Sequence, residues 1–213
     1  MYLTGGDILN DIENVERIII NAGGVARTAD FNAAGYTNAE VSDMCKYGLI
    51  ARVRSDYFIL PHEKNQQQQE EKIIAYLFSD GIVCLDSALF YFGYSDKTPL
   101  EWHLAFPRTV TCSRFNIDYP HIHYYRIQQN ILDIGKSVGY WNGVQLAVYD
   151  RERTICDCFK RRSKMDTEMF AKAVNAYVAD EKKNLSHLSQ YAKKLQVYTK
   201  VIEIMEVPLS LTH

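Results

Sequence analysis

Catalytic or metal chemistry in this chain would depend on a few clusters of cysteine, histidine and acidic residues. Cys156 and Cys158 form a Cys-x-Cys pair, a pattern that can mark a zinc site. On a helix these two side chains point about 200° apart, and no further Cys or His pair follows at a ligand-like spacing. We therefore expect two buried core cysteines, and the sequence predicts no metal site.

Two other clusters could carry chemistry. His121 and His123 would share one face of a strand, but the sequence gives them no obvious carboxylate partner, so we expect a solvated or hydrogen-bonded pair. Residues 180–183, Asp-Glu-Lys-Lys, contain the residue types of a magnesium-dependent nuclease, and Glu181 would be the residue to test. They fall between two predicted helices with no strand beneath them, which favours a solvated turn. Neither a glycine-rich phosphate loop nor a Gly-x-Ser-x-Gly elbow is present, so we expect no enzyme activity and no cofactor.

The segment YDRERTICDCFKRR, residues 149–162, combines alternating charges with a short apolar run and ends in three cations. It predicts a helix from about Arg151 whose apolar side chains face the core. Those side chains are Ile155, Cys156, Cys158 and Phe159. Arg153 and Asp157 stand one turn apart, where a helical ion pair can form. A charged helix that closes the fold, with Glu152 in its first turn and cations in its last, explains the pattern without a ligand.

The same segment also offers a positive surface. Residues 151–164 hold six cations and two acids, which is more positive charge than compensation of the helix dipole requires. A surface that binds an anion or a partner is therefore the alternative to a purely structural helix. Its candidate residues are Arg151, Lys160, Arg161, Arg162 and Lys164.

The elements that position these residues belong to a chain with the composition of a folded protein. Its 213 residues are 47% hydrophobic and 23% charged, enough for one domain or two small ones with a buried core. The net charge of −2 excludes a globally basic nucleic-acid protein, although not a local basic face. Five scattered cysteines and the lack of a visible signal peptide favour reduced thiols in the cytoplasm. The apolar runs are too short to cross a bilayer.

A polar stretch predicts two modules. Residues 63–71 are almost wholly polar and indicate a hinge between an N-terminal module, residues 1–62, and a C-terminal module, residues 72–213. In the N-terminal module, an apolar repeat over residues 8–19 predicts a first helix, which Asp7 could cap, and Thr28 could cap a short second one.

A capping box and a hairpin follow. Thr37-Asn38-Ala39-Glu40 can exchange hydrogen bonds at the start of a third helix, about Asn38 to Tyr47. Two alternating runs between Leu49 and Pro61, with Ser55-Asp56 at the tip, predict a β-hairpin. Three short helices and a terminal hairpin are the order of a winged helix-turn-helix, in which the third helix enters the major groove and the hairpin lies along the backbone.

The third helix and the hairpin carry side chains suited to DNA. Asn can read adenine, Lys can reach guanine or phosphate, and alternate arginines on a strand can contact phosphates from one side. The candidate DNA-binding residues are Asn38, Ser42, Lys46, Tyr47, Arg52 and Arg54. Residues 1–62 nevertheless hold five cations against eight carboxylates, so a winged helix used only for protein contact is the alternative.

The sequence of the C-terminal module predicts helices, then strands, then helices. β-Branched and aromatic content predicts strands, and the Asn142-Gly143 pair predicts a two-residue hairpin turn. The predicted strands are Trp102–Phe106, Ile122–Ile127, Ile134–Tyr140 and Val144–Tyr149, and the predicted helices are about 70–79, 87–92, 151–162, 167–178, 186–195 and 198–206. The whole chain is predicted to be α+β, an N-terminal winged helix-turn-helix followed by a mixed α+β domain.

Several blocks resemble the AbiEi-type antitoxins, the transcriptional-regulator half of bacterial abortive-infection (type IV) toxin–antitoxin pairs. Residues 150–158, DRERTICDC, are similar to the family's D-x-E-R-T-I/L-x-D signature. Further similar blocks are Ser87–Leu89 with Phe92–Ser95 and Pro99, Trp102–Arg108, the L..YA..L helix of Leu188 to Leu195, and the wing from Arg52 to Pro61. The family usually has Gly at the wing tip, where this chain has Ser55-Asp56, and Asp tolerates the left-handed conformation.

The resemblance implies a function in two parts. The winged helix would bind inverted repeats in the promoter of its own operon and repress it. The C-terminal domain would counteract a nucleotidyltransferase-like toxin, without necessarily forming a stable complex with it. The signature residues Glu152, Arg153, Thr154 and Asp157 would be architectural, with Arg153 and Asp157 holding the helix to its neighbours. The alternative is a protein-interaction module that binds the toxin, or its nucleotide or RNA substrate, through the basic C-terminal surface.

Overall fold

A computed structural model describes residues 5–61 and 69–210 of the chain. It is a mixed α+β protein with two sheets, which confirms the predicted α+β class. The predicted hinge at 63–71 lies mostly outside the described residues. Contacts divide the chain into two compact units: Met1–Ser79 with Asn116–Pro120 and Tyr140–Gln145, and the remaining residues. Within the described ranges, no helix is both long and apolar enough to cross a membrane.

The first unit consists of helices around a small sheet. Its elements are α1 (Gly5–Asn21), β1 (Ala26–Arg27), α2 (Thr28–Ala33), α3 (Asn38–Lys46), β2 (Ala51–Arg54), β3 (Tyr57–Ile59) and α4 (Gln69–Leu77). The sheet has the order β1-β3-β2 and is antiparallel throughout. Val15 and Ile19 of α1, Phe31 of α2 and Val41 of α3 pack in one core with Phe58 of β3. The apolar spacing of the three helices therefore buries one face of each.

The start of α3 confirms the predicted capping box. The Thr37 hydroxyl accepts from the Glu40 N–H at 3.3 Å, and the Glu40 carboxylate accepts from the Thr37 N–H at 2.7 Å. The prediction that Thr28 caps α2 is wrong by one residue. Helix α2 begins at Thr28, and the Asp30 carboxylate reaches back to the N–H of Arg27 at 2.7 Å. Asp7 lies inside α1, which already begins at Gly5.

The predicted hairpin forms, with two differences. Ser55 and Asp56 join β2 to β3 without a positive φ at either residue, so Asp56 does not adopt the left-handed conformation. The register shifts between Arg52, which pairs with Phe58, and Arg54, which pairs with Tyr57. Such an irregularity interrupts the strict alternation from which the two arginines were predicted to project from one side.

The second unit has helices and a five-stranded sheet, apart from the Tyr140–Gln145 segment at the turn between its last two strands, which belongs to the first unit. Its elements are β4 (Ile82–Val83), α5 (Leu85–Tyr91), β5 (Trp102–Pro107), β6 (Ile122–Ile127), α6 (Gln129–Leu132), β7 (Lys136–Trp141), β8 (Val144–Tyr149), α7 (Arg151–Lys160), α8 (Thr167–Ala179), α9 (Leu185–Lys194) and α10 (Tyr198–Ser210), with short 3₁₀ turns at Cys112–Phe115 and Arg162–Lys164. The strand order is β6-β5-β4-β8-β7. β5 pairs antiparallel with β4 and parallel with β6.

The predicted strands β6 and β8 have the bounds expected from the sequence, and β5 and β7 differ by one or two residues at their ends. The turn between β7 and β8 is the predicted Asn142-Gly143 pair, with φ of 48° and 84°. Strand β4 was not predicted because two residues are too few to show a period.

Helix α7 lies at the centre of the second unit. All eight residues from Glu152 to Phe159 are buried, so the helix is covered on its charged face as well as its apolar one. Ile155, Cys156, Cys158 and Phe159 join the apolar core with α8, α9 and α10. The prediction that Cys156 and Cys158 are core residues is therefore confirmed, and burial raises the pKa of both thiols.

Candidate functional site

The six candidate DNA-binding residues lie on α3 and the β2–β3 hairpin. Asn38 is exposed in the first turn of α3, where its side-chain oxygen accepts from Asn32 at 3.1 Å. Ser42, one turn later, is half-buried. Tyr47 directly follows the helix and is 81% exposed, an unusual placement for a large ring. An exposed tyrosine beside polar helix residues is available to stack on or hydrogen-bond to a partner.

The three cations of this group have different surroundings. The Lys46 ammonium lies 2.7 Å from the Asp43 carboxylate, with 70% of its side chain exposed. Arg52 is exposed, and its guanidinium lies 5.3 Å from the centroid of the Phe58 ring. Arg54 is half-buried. Lys46 and Arg52 are therefore the cations of this group most open to a phosphate, and Asp43 competes for Lys46.

The candidate anion-binding residues lie in three different places. Lys160, Arg161 and Lys164 line one cavity of about 270 Å³ in the second unit. Arg151 instead donates to Asp180 at 2.7 Å, and its guanidinium lies over the Phe92 ring at 4.7 Å. Arg162 lies over the Phe170 ring at 4.5 Å. The five residues predicted as one surface thus do not form one.

The cavity, called the cationic cavity below, combines positive charge with aromatic walls. The Arg161 guanidinium covers the Tyr125 ring at 4.1 Å, and the Arg153 guanidinium covers the Tyr149 ring at 4.0 Å. Asp157 is the carboxylate among its lining residues, against the four cations Arg153, Lys160, Arg161 and Lys164. A net positive cavity with ring faces suits an anion that also carries a planar or apolar part.

Arg153 and Asp157 line the cationic cavity and are held in place by internal hydrogen bonds. Arg153 is 1% exposed. Its Nε donates to Asp157 at 3.0 Å, and its Nη1 donates to the carbonyl oxygens of Ile131 and Ile134 at 2.6 and 2.8 Å. Burial raises the pKa of Asp157, and the charge of Arg153 opposes that rise. Because these contacts occupy much of the Arg153 fork, Lys160, Arg161 and Lys164 are the cations left to meet a ligand.

The other two signature residues are also held internally. The buried Glu152 carboxylate accepts from the Tyr177 hydroxyl at 3.2 Å and from the Asn184 N–H at 2.7 Å. The Thr154 hydroxyl donates to the Tyr149 carbonyl at 3.3 Å. These bonds link α7 to α8, to the start of α9 and to the end of β8.

The turn at 180–183 is not the simple solvated turn that the sequence predicts. The Asp180 carboxylate accepts from the Tyr94 hydroxyl at 2.6 Å, from Arg151 at 2.7 Å and from the Lys182 N–H at 2.8 Å. Partial burial alone would raise the pKa of Asp180, but these hydrogen bonds hold it at about 2. Glu181 is exposed. Asp180 is thus committed to an ion pair rather than free to hold a metal.

The prediction that the strand histidines lack a carboxylate partner is wrong for His123. The parallel register of β5 and β6 sets His123 opposite His103, with ring centroids 5.1 Å apart. The Nδ1 atom of His123 lies 3.0 Å from the Glu101 carboxylate. His103 and His123 are each the second residue of a predicted strand. Their proximity could have been predicted from the sequence only if the pairing of those two strands had been known. His121 is exposed in the same segment and outside this group.

Comparison with known proteins supplies a fold but no family. No family model matches the sequence, and no curated protein matches it. Among solved structures, the chain is similar to the RV2827C protein from Mycobacterium tuberculosis, with a TM-score of 0.63 at 11% sequence identity. The similarity covers 85% of this chain and 69% of that one. At this identity the likeness concerns the fold alone.

Proposed function

We propose that the protein is a DNA-binding transcriptional repressor of its own toxin–antitoxin operon, and that the N-terminal module, residues 1–62, acts as a winged helix-turn-helix. The observation that carries the proposal is the order of the first unit: three helices followed by a β-hairpin, joined by β1 to form a small antiparallel sheet. In that architecture α3 would be the recognition helix and the β2–β3 hairpin the wing.

The side chains of α3 and the hairpin support this role. Asn38 and Lys46 are exposed on the helix, Tyr47 follows them, and Arg52 is exposed on the hairpin. Asn offers a bidentate contact to adenine, and the two cations offer contacts to phosphate. Residues 1–62 hold five cations against eight carboxylates, so this local group is what favours a duplex. Binding should weaken with added salt by an amount that this small number of phosphate contacts sets.

Titration of a labelled duplex from upstream of the gene, followed by fluorescence anisotropy, tests this proposal. We expect the full chain to bind that duplex more tightly than a scrambled duplex of equal length. Lys46→Ala and Arg52→Ala should each weaken binding at least several-fold. Arg17→Ala, which removes an exposed cation of α1, is the matched control and should bind like the parent. Equal affinity for both duplexes, or binding that ignores Lys46 and Arg52, would refute the repressor function.

We further propose that the second unit acts as the antitoxin against a nucleotidyltransferase-like toxin. The support is the similarity of residues 150–158 to the AbiEi signature, together with the buried position of those residues at the centre of the unit. Co-expression with the gene downstream tests it: growth should be restored by the full chain and by the DNA-binding variants Lys46→Ala and Arg52→Ala. Failure of the full chain to restore growth would contradict the antitoxin function.

The cationic cavity favours a second candidate function, which is binding of the toxin or of its nucleotide or RNA substrate through the C-terminal cations. The specific observation is that Lys160, Arg161 and Lys164 converge on one cavity. Arg161→Gln should reduce co-purification with the downstream gene product or binding of a nucleoside triphosphate. Arg162→Gln is the matched control, because Arg162 is the adjacent cation and lies over Phe170 instead. Equal effects of the two substitutions would argue against the cavity as the binding site.

A further inference from the structure

A group of histidines and carboxylates in the second unit has no role in the functions proposed above. Strands β5 and β6 are parallel and in register, so His103 and His123 are directly opposed. Glu101 precedes β5 by one residue, and Asp86 lies in α5. The ligand-type atoms of Glu101, His103 and His123 all lie within 4.8 Å of one another. Three residues from two neighbouring strand starts thus converge, and Asp86 approaches from a helix.

The distances in this group are close to those between the ligand atoms of a metal site. The Glu101 carboxylate oxygen lies 3.0 Å from His123 Nδ1 and 3.8 Å from His103 Nε2. The Asp86 carboxylate oxygen lies 3.9 Å from the same His103 Nε2. Zinc takes His and carboxylate ligands at about 2.0–2.2 Å, so neighbouring ligand atoms of a tetrahedral site stand roughly 3.3–3.6 Å apart. The two Glu101 distances bracket that spacing, and Asp86 approaches His103 alone, outside the group of three.

The buried imidazole of His103 points to a ligand. His103 is 9% exposed, and among the described residues its Nε2 has no hydrogen-bond partner, because both carboxylates lie beyond hydrogen-bond distance. A buried polar atom without a partner is uncommon in a folded protein. Its other nitrogen, Nδ1, lies 3.1 Å from the Tyr125 hydroxyl, which fixes the ring and directs Nε2 toward Glu101 and Asp86. Metal-bound histidines are generally held by an outer partner of this kind.

We propose that Glu101, His103 and His123 bind a divalent transition-metal ion such as Zn²⁺. The ligand set of two imidazoles and one carboxylate is one that zinc takes in open sites, and the ion would balance the negative charge of the carboxylate. Access is open, since the side chains of His123 and Glu101 are 49% and 41% exposed. Binding requires that Nε2 of His103 carries no proton, so that its lone pair can coordinate the ion, while the proton on Nδ1 is donated to the Tyr125 oxygen.

The proposed metal site adjoins the cationic cavity through Tyr125. Tyr125 contacts His103 through its hydroxyl and lines the cationic cavity with its ring. Tyr125 is therefore shared between the proposed metal site and one wall of the cationic cavity. The metal site itself stands on its own geometry and is independent of the DNA-binding and antitoxin proposals.

Calorimetric titration of the full chain with Zn²⁺, after treatment with a chelator and its removal, tests the site. We expect one Zn²⁺ per chain, and the same site should give Co²⁺ a visible absorption spectrum that Zn²⁺ abolishes. His123→Ala and Glu101→Gln, both at partly exposed positions, should each weaken Zn²⁺ binding by roughly 100-fold or more. Tyr125→Phe, which removes only the outer hydroxyl, should weaken it by about 10-fold.

Two matched controls separate this site from binding elsewhere. His121→Ala removes an exposed histidine two residues from His123, and Cys112→Ser removes the exposed thiol. Both should bind Zn²⁺ like the parent. Circular dichroism of each variant confirms that the fold is retained. No stoichiometric binding by the parent, or binding that survives His123→Ala and Glu101→Gln in a folded protein, would overturn the proposal.

Discussion

The Nε atom of Arg153 donates to the Asp157 carboxylate at 3.0 Å, one helical turn away on α7, and the arginine side chain is 1% exposed. The sequence predicts this pair as an ordinary ion pair along a helix, whereas in the folded protein both side chains are largely buried. An enclosed pair behaves differently from a solvated one, because neither charge can regain water when its partner is lost.

Removal of one partner should therefore be strongly destabilising. Asp157→Ala leaves the buried guanidinium without its carboxylate, and we expect a loss of about 3–5 kcal/mol in the free energy of unfolding, measured by urea denaturation. The control is Asp43→Ala, which removes an exposed pair with Lys46 at 2.7 Å and should lose less than about 1 kcal/mol. Similar losses for the two variants would show that the Arg153 pair is solvated.

Gly135 should tolerate no side chain. Its φ of +73° is left-handed, and a Cβ there would lie 2.5 Å from the Cβ of Arg153 and 2.9 Å from an Asp150 oxygen. Gly135→Ala combines backbone strain with a steric clash, so we expect a loss of about 2–5 kcal/mol in the free energy of unfolding.

Gly143 provides the control for that experiment. It also has a positive φ, +84°, but a Cβ there would have no neighbour within 4 Å. Gly143→Ala should lose only the strain component, about 1–2 kcal/mol. An equal loss in both variants would mean that the contact with Arg153 adds nothing.

Asp180 should make the free energy of unfolding depend on pH in the acidic range. Its pKa is about 2 in the folded protein, below the ordinary value of 3.8, so the folded state holds the ionised form more strongly than the unfolded chain does. The resulting stabilisation is complete above about pH 4 and is lost as the pH falls toward about 2.

Urea denaturation between pH 5 and pH 2 of the parent and of Asp180→Asn measures this contribution. The difference in free energy of unfolding between them should shrink as the pH falls through that window. Glu181→Gln, at the exposed neighbouring position, should follow the parent. A constant difference between the parent and Asp180→Asn across the window would contradict the lowered pKa.

Salt dependence should separate the two kinds of DNA contact proposed for the first unit. Log affinity falls with log salt concentration, and each phosphate contact contributes about 0.9 to the magnitude of that slope. Lys46→Ala and Arg52→Ala should therefore each reduce the magnitude by about 0.9. Asn38→Ala should leave the slope unchanged and reduce discrimination between duplexes by about 1–3 kcal/mol. An unchanged slope in both cation variants would exclude them as phosphate contacts.

Local features of this protein were determined by sequence alone. The Thr37–Glu40 capping box, the Asn142-Gly143 turn and the core positions of Cys156 and Cys158 follow from residues within a few positions of one another. Hydrogen bonds at a helix start and the φ values of a turn depend on that short range. The order of helices and strands, and hence the α+β class, follows from the same local periodicity.

The arrangement of the candidate sites depended on tertiary structure. Glu101 and His123 are 22 positions apart in sequence, and only the parallel register of β5 with β6 brings them together. Arg161 and Arg162 are adjacent in a cationic run, yet one lines the cavity and the other covers Phe170. A sequence period says which side chains share a face of an element, but which partner covers that face is set by sheet order and long-range packing.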